Sequence, residues 1–234
     1  GGVEGLKALV NQCHQKGIAV ILDVVYNHMG PEGNYLNDYG PYFTDKYGTP
    51  WGKAINFDDA YSDQVRSFFL QNALMWLDEF HIDGLRLDAI HAIKDLGARH
   101  FLSELSSAVR QLEEQQLRHL PLIGECDLND AKYISPAGTG GYDLNGQWID
   151  EFHHALHACL TGESNGYYQD FGSFAQLHKA FEKTYVYDGI YSPHRKKTFG
   201  NSALNNSYDQ FVVFSQNHDQ VGNRMMGDRF TTLL

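Results

Sequence analysis

Cysteine is scarce in this chain: Cys13, Cys126 and Cys159 are its only three. They are odd in number, widely spaced and form no C-x-x-C pair, which argues against a disulfide framework or a cysteine zinc site and predicts a reducing, cytoplasmic setting. Positive charge is also short. Eighteen Lys and Arg against 29 Asp and Glu leave a formal net charge of −11, and no Lys/Arg run exceeds the three residues at 195–197, so the basic footprint of a nucleic-acid partner is missing. Apolar runs are brief. Stretches such as IAVILDVV, from position 18, fall far below a bilayer span, and no basic flank adjoins an apolar stretch as in a signal peptide; no membrane partner is predicted. A G-x-G-x-x-G or P-loop after the first strand is lacking, which removes support for a nucleotide-binding sheet. No H-E-x-x-H occurs either. The segment HHALH carries His153, His154 and His157, and His154 and His157 lie three apart on a helical turn, but no H-E-x-x-H pattern or cysteine pair supplies the further ligands of a zinc site, so neither a metal nor a cofactor is predicted.

What is present is a globular composition, 42% hydrophobic over 234 residues, enough for a sizeable core. Leu6, Leu9, Val10 and Cys13 recur at helical spacing before a stop at Gly17. The β-branched run over 18–26 then reads as a strand buried on both faces. Residues 27–61, rich in Gly, Pro, Asn, Asp and aromatic side chains, read as a long irregular functional loop. A helix over 63–80 leads into the strand GLRLDAI, over 84–90. A second helix, around 97–118, leads into the strand PLIGECD, over 121–127. A weaker strand candidate is GQWIDEFH, from position 146. The segment FAQLHKAFEKTYV is helical, and FVVFSQNHD, over 211–219, reads again as strand.

Strands alternating with helices imply right-handed βαβ units and a parallel sheet. The unusual polar residues choose its form. Asp23 with Asn27 and His28, Arg86 and Asp88, Glu125, Asp150 and His153, and His218 with Asp219 all fall at the C-terminal ends of expected strands, which is the pattern of a (β/α)8 TIM barrel. Parallel strands ending together would carry Asp88, Glu125 and Asp219 into one cleft. Three carboxylates there repel, so their surroundings must keep one protonated as a donor while another stays ionised. That suits retaining glycoside hydrolysis, which needs a nucleophilic carboxylate and a proton-donating carboxyl about 5 Å apart. Arg86, two positions before Asp88 and on the same strand face, would hydrogen-bond to the nucleophile and stabilise its charge.

The segments DVVYNH, GLRLDAI, IGECD and QNHDQ, in this order and at these intervals, resemble the four signature regions of the α-amylase family of glycoside hydrolases. The resemblance implies Asp88 as nucleophile, Glu125 as general acid/base and Asp219 as transition-state stabiliser. It also implies sugar-hydroxyl contacts from Arg86, His28 and His218, a structural role for Asp23, and a further substrate contact from His91 just beyond the second motif. Longer stretches, among them WIDEFHHALHACLTGESNGYYQDFG and QNHDQVGNRMMGDR, resemble the trehalose-releasing branch of that family. This implies a malto-oligosaccharide or malto-oligosyltrehalose substrate, with Asp150, His153, His154, Gln220 and Asn223 at the sites that receive the trehalose end.

Two alternatives remain open: a glucan branching enzyme with the same carboxylates, and a catalytically inactive amylase-like binding domain. An eight-stranded barrel needs about 250 residues, whereas five strands are legible. The whole chain, 1–234, is therefore expected to be a partial catalytic domain, strands three to seven of the barrel with their helices. The remainder of the parent enzyme would close it.

Overall fold

The computed structural model describes residues 1–234, whose contacts divide into two units, Gly1–Glu125 with Ser135–Asn145, and Cys126–Ile134 with Gly146–Leu234. In the first unit, helix α1 (Gly2–Gln15) ends just before Gly17, which turns left-handed at φ +70° as the glycine stop predicts. Strand β1 (Ile21–Val24) follows. Ile18, Ile21 and Val25 are exposed within this chain, and β1 pairs with a later strand along one flank. A β-branched run encodes extended backbone, but burial also requires a neighbour on each side.

Residues 27–61 are not wholly irregular. Strands β2 (Phe43–Thr49) and β3 (Gly52–Ile55) form an antiparallel hairpin. Its turn closes through the Thr49 hydroxyl, which donates to the Gly52 carbonyl at 2.9 Å, and through Gly52 itself at φ +110°. Abundant turn residues, together with a break in register between Thr44 and Gly48, masked the two strands. Helix α2 (Ser62–Asp78) then leads to β4 (Gly84–Leu87), whose four residues are all buried, and helix α3 (Phe101–Gln116) leads to β5 (Leu122–Gly124). The strands run parallel in the order β1, β4, β5, with Asp23 beside Arg86 and Arg86 beside Ile123. Gly84 is required by close approach, because a Cβ there would meet the Pro121 carbonyl oxygen at 2.7 Å and Ile21 Cδ1 at 2.9 Å. Phe57, Phe69, Leu77, Phe101, Leu102 and Leu105 are buried on the helical side.

In the second unit, β6 (Gly146–Trp148) passes directly into helix α4 (Asp150–Thr161). The strand expected to continue through GQWIDEFH therefore stops at Trp148. Asp150 and Glu151 place two carboxylates in a helix's first turn, where its dipole favours them. The buried stripe of α4 contains His153, His154 and His157 where a hydropathy pattern expects aliphatic residues, so the helical period was hidden. Helix α5 (Phe174–Lys183) starts at a capping box of Ser173 and Gln176. It covers a core of Ala155, Leu177, Ala180, Val186, Tyr187 and Phe199. An unexpected hairpin follows, β7 (Ile190–Ser192) with β8 (Lys197–Phe199).

Strand β9 (Phe211–Val212) runs parallel to β6. The strand expected over 211–219 shrinks to these two residues, because Asn217 caps a short helix, α6 (His218–Gly222), by accepting the Asp219 and Gln220 N–H groups. A last helix, α7 (Phe230–Leu233), closes the chain. Three parallel strands in the first unit and two in the second, with their helices, make an incomplete (β/α)8 barrel. No helix is long and apolar enough to cross a membrane.

Candidate active site

The first unit gathers three carboxylates around one guanidinium. Parallel pairing sets Asp23 beside Arg86, and Arg86 Nη1 donates at 2.8 Å to Asp23 Oδ1 and, two residues along its own strand, at 2.8 Å to Asp88 Oδ1. Its Nη2 lies 3.9 Å from Glu125 Oε2. Burial works against the Arg86 charge, yet the bonds to Asp23 and Asp88 and the charge of Glu125 outweigh it and push the pKa above its ordinary value. Arg86 is thus a fixed cation in a buried position, a stronger electrostatic partner than a solvated one.

Asn27, which the sequence already places at a strand end, and Ala89, which it does not single out, complete the cluster. Asn27, buried at the end of the first strand segment, donates through Nδ2 to both the backbone oxygen and Oδ2 of Asp88, at 2.8 and 2.9 Å. Both Asp88 oxygens therefore have a donor, which fixes the carboxylate's plane. Ala89 then turns left-handed at φ +38°, an unusual conformation for a residue with a Cβ, and its N–H donates to Glu125 Oε2 at 2.6 Å. The strand thus ends by directing Asp88 and Glu125 to one place. His28 Nδ1 lies 2.6 Å from Asn27 Oδ1, and its ring stacks on Trp51 of the β2–β3 turn at 3.8 Å. His91 lies half-buried in the 3₁₀ turn that follows.

The second unit holds the remaining expected residues. Asp150 is the first residue of α4 rather than a strand end. His153 is fully buried, with Nδ1 2.5 Å from the Ser215 carbonyl and Nε2 2.8 Å from the Tyr168 hydroxyl. A carbonyl only accepts, so Nδ1 carries the proton and Nε2 accepts from tyrosine. Burial lowers its pKa to about 4, keeping the ring neutral. Both ring nitrogens of His153 are thus engaged inside the unit. His154 is nearly as buried, stacked on Tyr167, and desolvation pulls its pKa down to about 3.

His218 and Asp219 stand exposed in the first turn of α6, 3.6 Å apart. Gln220 is buried and caps that helix, its Oε1 accepting the Asn217 N–H at 2.7 Å. Asn223 is exposed and lines a cavity of about 450 Å³ with Glu163, Tyr167, Tyr168 and Arg224.

One buried acid lay outside the expected site. Glu151 Oε2 accepts the Val186 and Tyr187 N–H groups at 2.6 and 2.9 Å, and burial raises its pKa from 4.5 to about 7 against those bonds. A carboxyl that holds its proton in the folded state but loses it when unfolded favours unfolding as pH rises. Its contribution is therefore fully present below pH 4.5 and lost as pH rises to about 7. Glu151→Gln keeps an oxygen for both amides and should flatten that part of the profile. Denaturant melts at intervals across the window check this, and parallel profiles for the two proteins would refute it.

Comparison with known proteins places the chain. Residues 1–48 match the family model for the alpha amylase catalytic domain. All of the chain aligns, at 50% identity over 234 residues, with 41% of the malto-oligosyltrehalose trehalohydrolase of Saccharolobus solfataricus. The protein of that name from Arthrobacter ramosus is 46% identical over 232 residues, covering 99% of this chain and 40% of the relative. A solved Salmonella typhimurium structure assigned as an alpha amylase matches 97% of this chain, and 39% of that one, with a TM-score of 0.88 and 39% identity. The chain belongs to the α-amylase family. This α-amylase-family chain spans about two-fifths of the length of the curated relatives it matches. Of the residues expected to act in it, Asp88, Glu125 and Arg86 meet in the first unit, with His28 linked to Asp88 through Asn27. Asp219, His218 and Asn223 lie on or next to α6 in the second.

Proposed function

We propose that this chain carries the catalytic carboxylates of a retaining glycoside hydrolase that cleaves the α-1,4-glucosidic bond next to the terminal trehalose of malto-oligosyltrehalose and releases trehalose. The observation that carries the reading is the hold on Asp88, with Arg86 on one oxygen and Asn27 on the other. A carboxylate fixed in plane beside a buried cation is built to attack an anomeric carbon and then leave it.

In the first step Asp88 attacks C1 of the glucosyl unit while Glu125 gives its proton to the glycosidic oxygen, so trehalose departs as a neutral alcohol and a glycosyl ester forms. In the second, Glu125 takes a proton from water, whose oxygen attacks C1. The ester bond breaks, Asp88 is restored, and the two inversions leave the configuration unchanged. The family resemblance supports Asp219 as the group that stabilises the positive charge developing at the sugar ring in both steps, and His28, Arg86, His91 and His218 as contacts to the sugar's hydroxyls. No cofactor enters these steps.

Specificity for the trehalose end is supported by 50% identity, along the whole chain, to a protein named for that activity. Asp150, His154 and Asn223 are the proposed contacts for the released disaccharide. The three free cysteines support a reducing, cytoplasmic setting. The test gives maltotriosyl-trehalose to the full-length enzyme that contains this chain, expecting maltotriose and free trehalose. Longer or branched glucans as the sole products would instead identify a branching transferase. Sugar binding without turnover would identify an inactive binding domain.

A further inference from the structure

The second unit contains an ion-pair chain that the proposed reaction does not use directly. Glu163 follows α4 and accepts two bonds from Arg224, Nη1 to Oε2 at 2.9 Å and Nη2 to Oε1 at 2.8 Å. Its Oε2 also accepts from Nε2 of His157 at 2.8 Å. The His157 side chain is fully buried, and its ring stacks on Tyr168 at 4.3 Å. The bond from Arg224, helped by that from His157, holds the Glu163 carboxyl down at about 2, so its charge persists through any ordinary working pH.

Arg224 lies two residues beyond α6, and its own N–H donates to the Val221 carbonyl. Before α6, the chain is held by His153 of α4, which donates to the Ser215 carbonyl and accepts from Tyr168. The segment between Ser215 and Arg224 carries Asp219, so α4 and the turn after it grip that segment on both sides of Asp219. A five-residue helix has too few internal bonds to hold its own position. The grip must come from outside it.

We infer that Glu163 and Arg224 are positioning residues for Asp219: their two-pronged ion pair, anchored on His157, fixes the helix that presents this carboxylate to the sugar. The inference rests on Asp219 acting as proposed above. A bidentate Arg–carboxylate pair defines both distance and plane, whereas lysine supplies the same charge through a single point. Arg224→Lys therefore keeps the charge balance and loosens the geometry. A displacement of about 1 Å at a reacting group is enough to cost one to two orders of magnitude in rate.

The test uses the full-length enzyme and two ligands. One is a cationic iminosugar, which imitates the charge of the oxocarbenium-like transition state. The other is neutral maltotriose, which lacks it. Arg224→Lys and Glu163→Gln should each lower kcat about tenfold and weaken the iminosugar by a similar factor. Maltotriose affinity and KM should stay within about twofold of wild type. Asp219→Asn should lose more of both kcat and iminosugar affinity. If Asp219→Asn loses both while Arg224→Lys retains both, the positioning inference is overturned and the role of Asp219 stands. Equal weakening of maltotriose and iminosugar by Arg224→Lys would also overturn it, since Arg224 would then act as a sugar contact. If Asp219→Asn keeps both, the role proposed for Asp219 fails, and the inference falls with it. Arg224→Lys leaves the Glu163–His157 bond in place, so it remains decisive if Glu163→Gln proves poorly folded.

Discussion

Asp88→Asn is expected to lower kcat on malto-oligosyltrehalose by about four orders of magnitude or more, the scale reached when a nucleophile is removed from a cooperating set. An amide oxygen cannot form the glycosyl ester, so the reaction loses its intermediate rather than a fraction of its rate. The substitution is nearly isosteric, but the site is not indifferent to it. Arg86 Nη1 and Asn27 Nδ2 are both donors and occupy the two Asp88 oxygens. An asparagine can offer an oxygen to only one of them, and its own NH₂ meets the other. That mismatch costs about 1–3 kcal/mol of local stability, while Arg86 keeps its bond to Asp23. Trehalose release should thus vanish from a protein that still melts cooperatively, at a slightly lower temperature. A rate near that of wild type would remove Asp88 as the nucleophile.

Glu125→Gln should be nearly as damaging on natural substrate, by about 10²–10⁴-fold, and its signature lies in what restores activity. Gln keeps an oxygen to accept the Ala89 N–H, held at 2.6 Å in the native protein, so the left-handed turn at Ala89 is preserved. What is lost is the proton. A sugar leaving group needs it, whereas an acidic phenol departs without it, so an activated aryl α-glycoside should still form the ester on Asp88. Water then lacks its base and the ester accumulates. Azide needs no deprotonation and should restore turnover, giving a glycosyl azide of retained α configuration. An azide of inverted configuration, or equal losses on aryl and sugar leaving groups, would assign the acid/base role elsewhere.

Legibility differed from element to element for physical reasons. The strand before Asp88 was plain because a short apolar run bounded by glycine has few alternatives, and β4 is buried throughout. The pairing of Arg86 with Asp88 followed from strand periodicity alone, since residues two apart share a face. Helix α4 was hidden because its buried stripe is built from histidines, which a hydropathy pattern scores as polar. The β2–β3 hairpin was hidden by its own turn residues. The motif shows His153 as a polar side chain, whereas its two hydrogen bonds are made with Ser215 and Tyr168, 62 and 15 residues away, and depend on packing.

The sequence by itself determined the alternation of strands and helices, the incomplete barrel, the family, and the carboxylates and arginine offered as reacting groups. These are encoded in local periodicity and in short motifs, each legible within about ten residues. Only the tertiary structure decided which groups hold the others. Arg86 reaches Asp23 across a strand pair, Asn27 closes over Asp88, and Glu163 ties Arg224 to His157. Except for Glu163 and His157, which are six residues apart, those partners lie 61 to 63 residues apart along the chain, and no local pattern specifies them. Strand register and helix packing bring them within 3 Å.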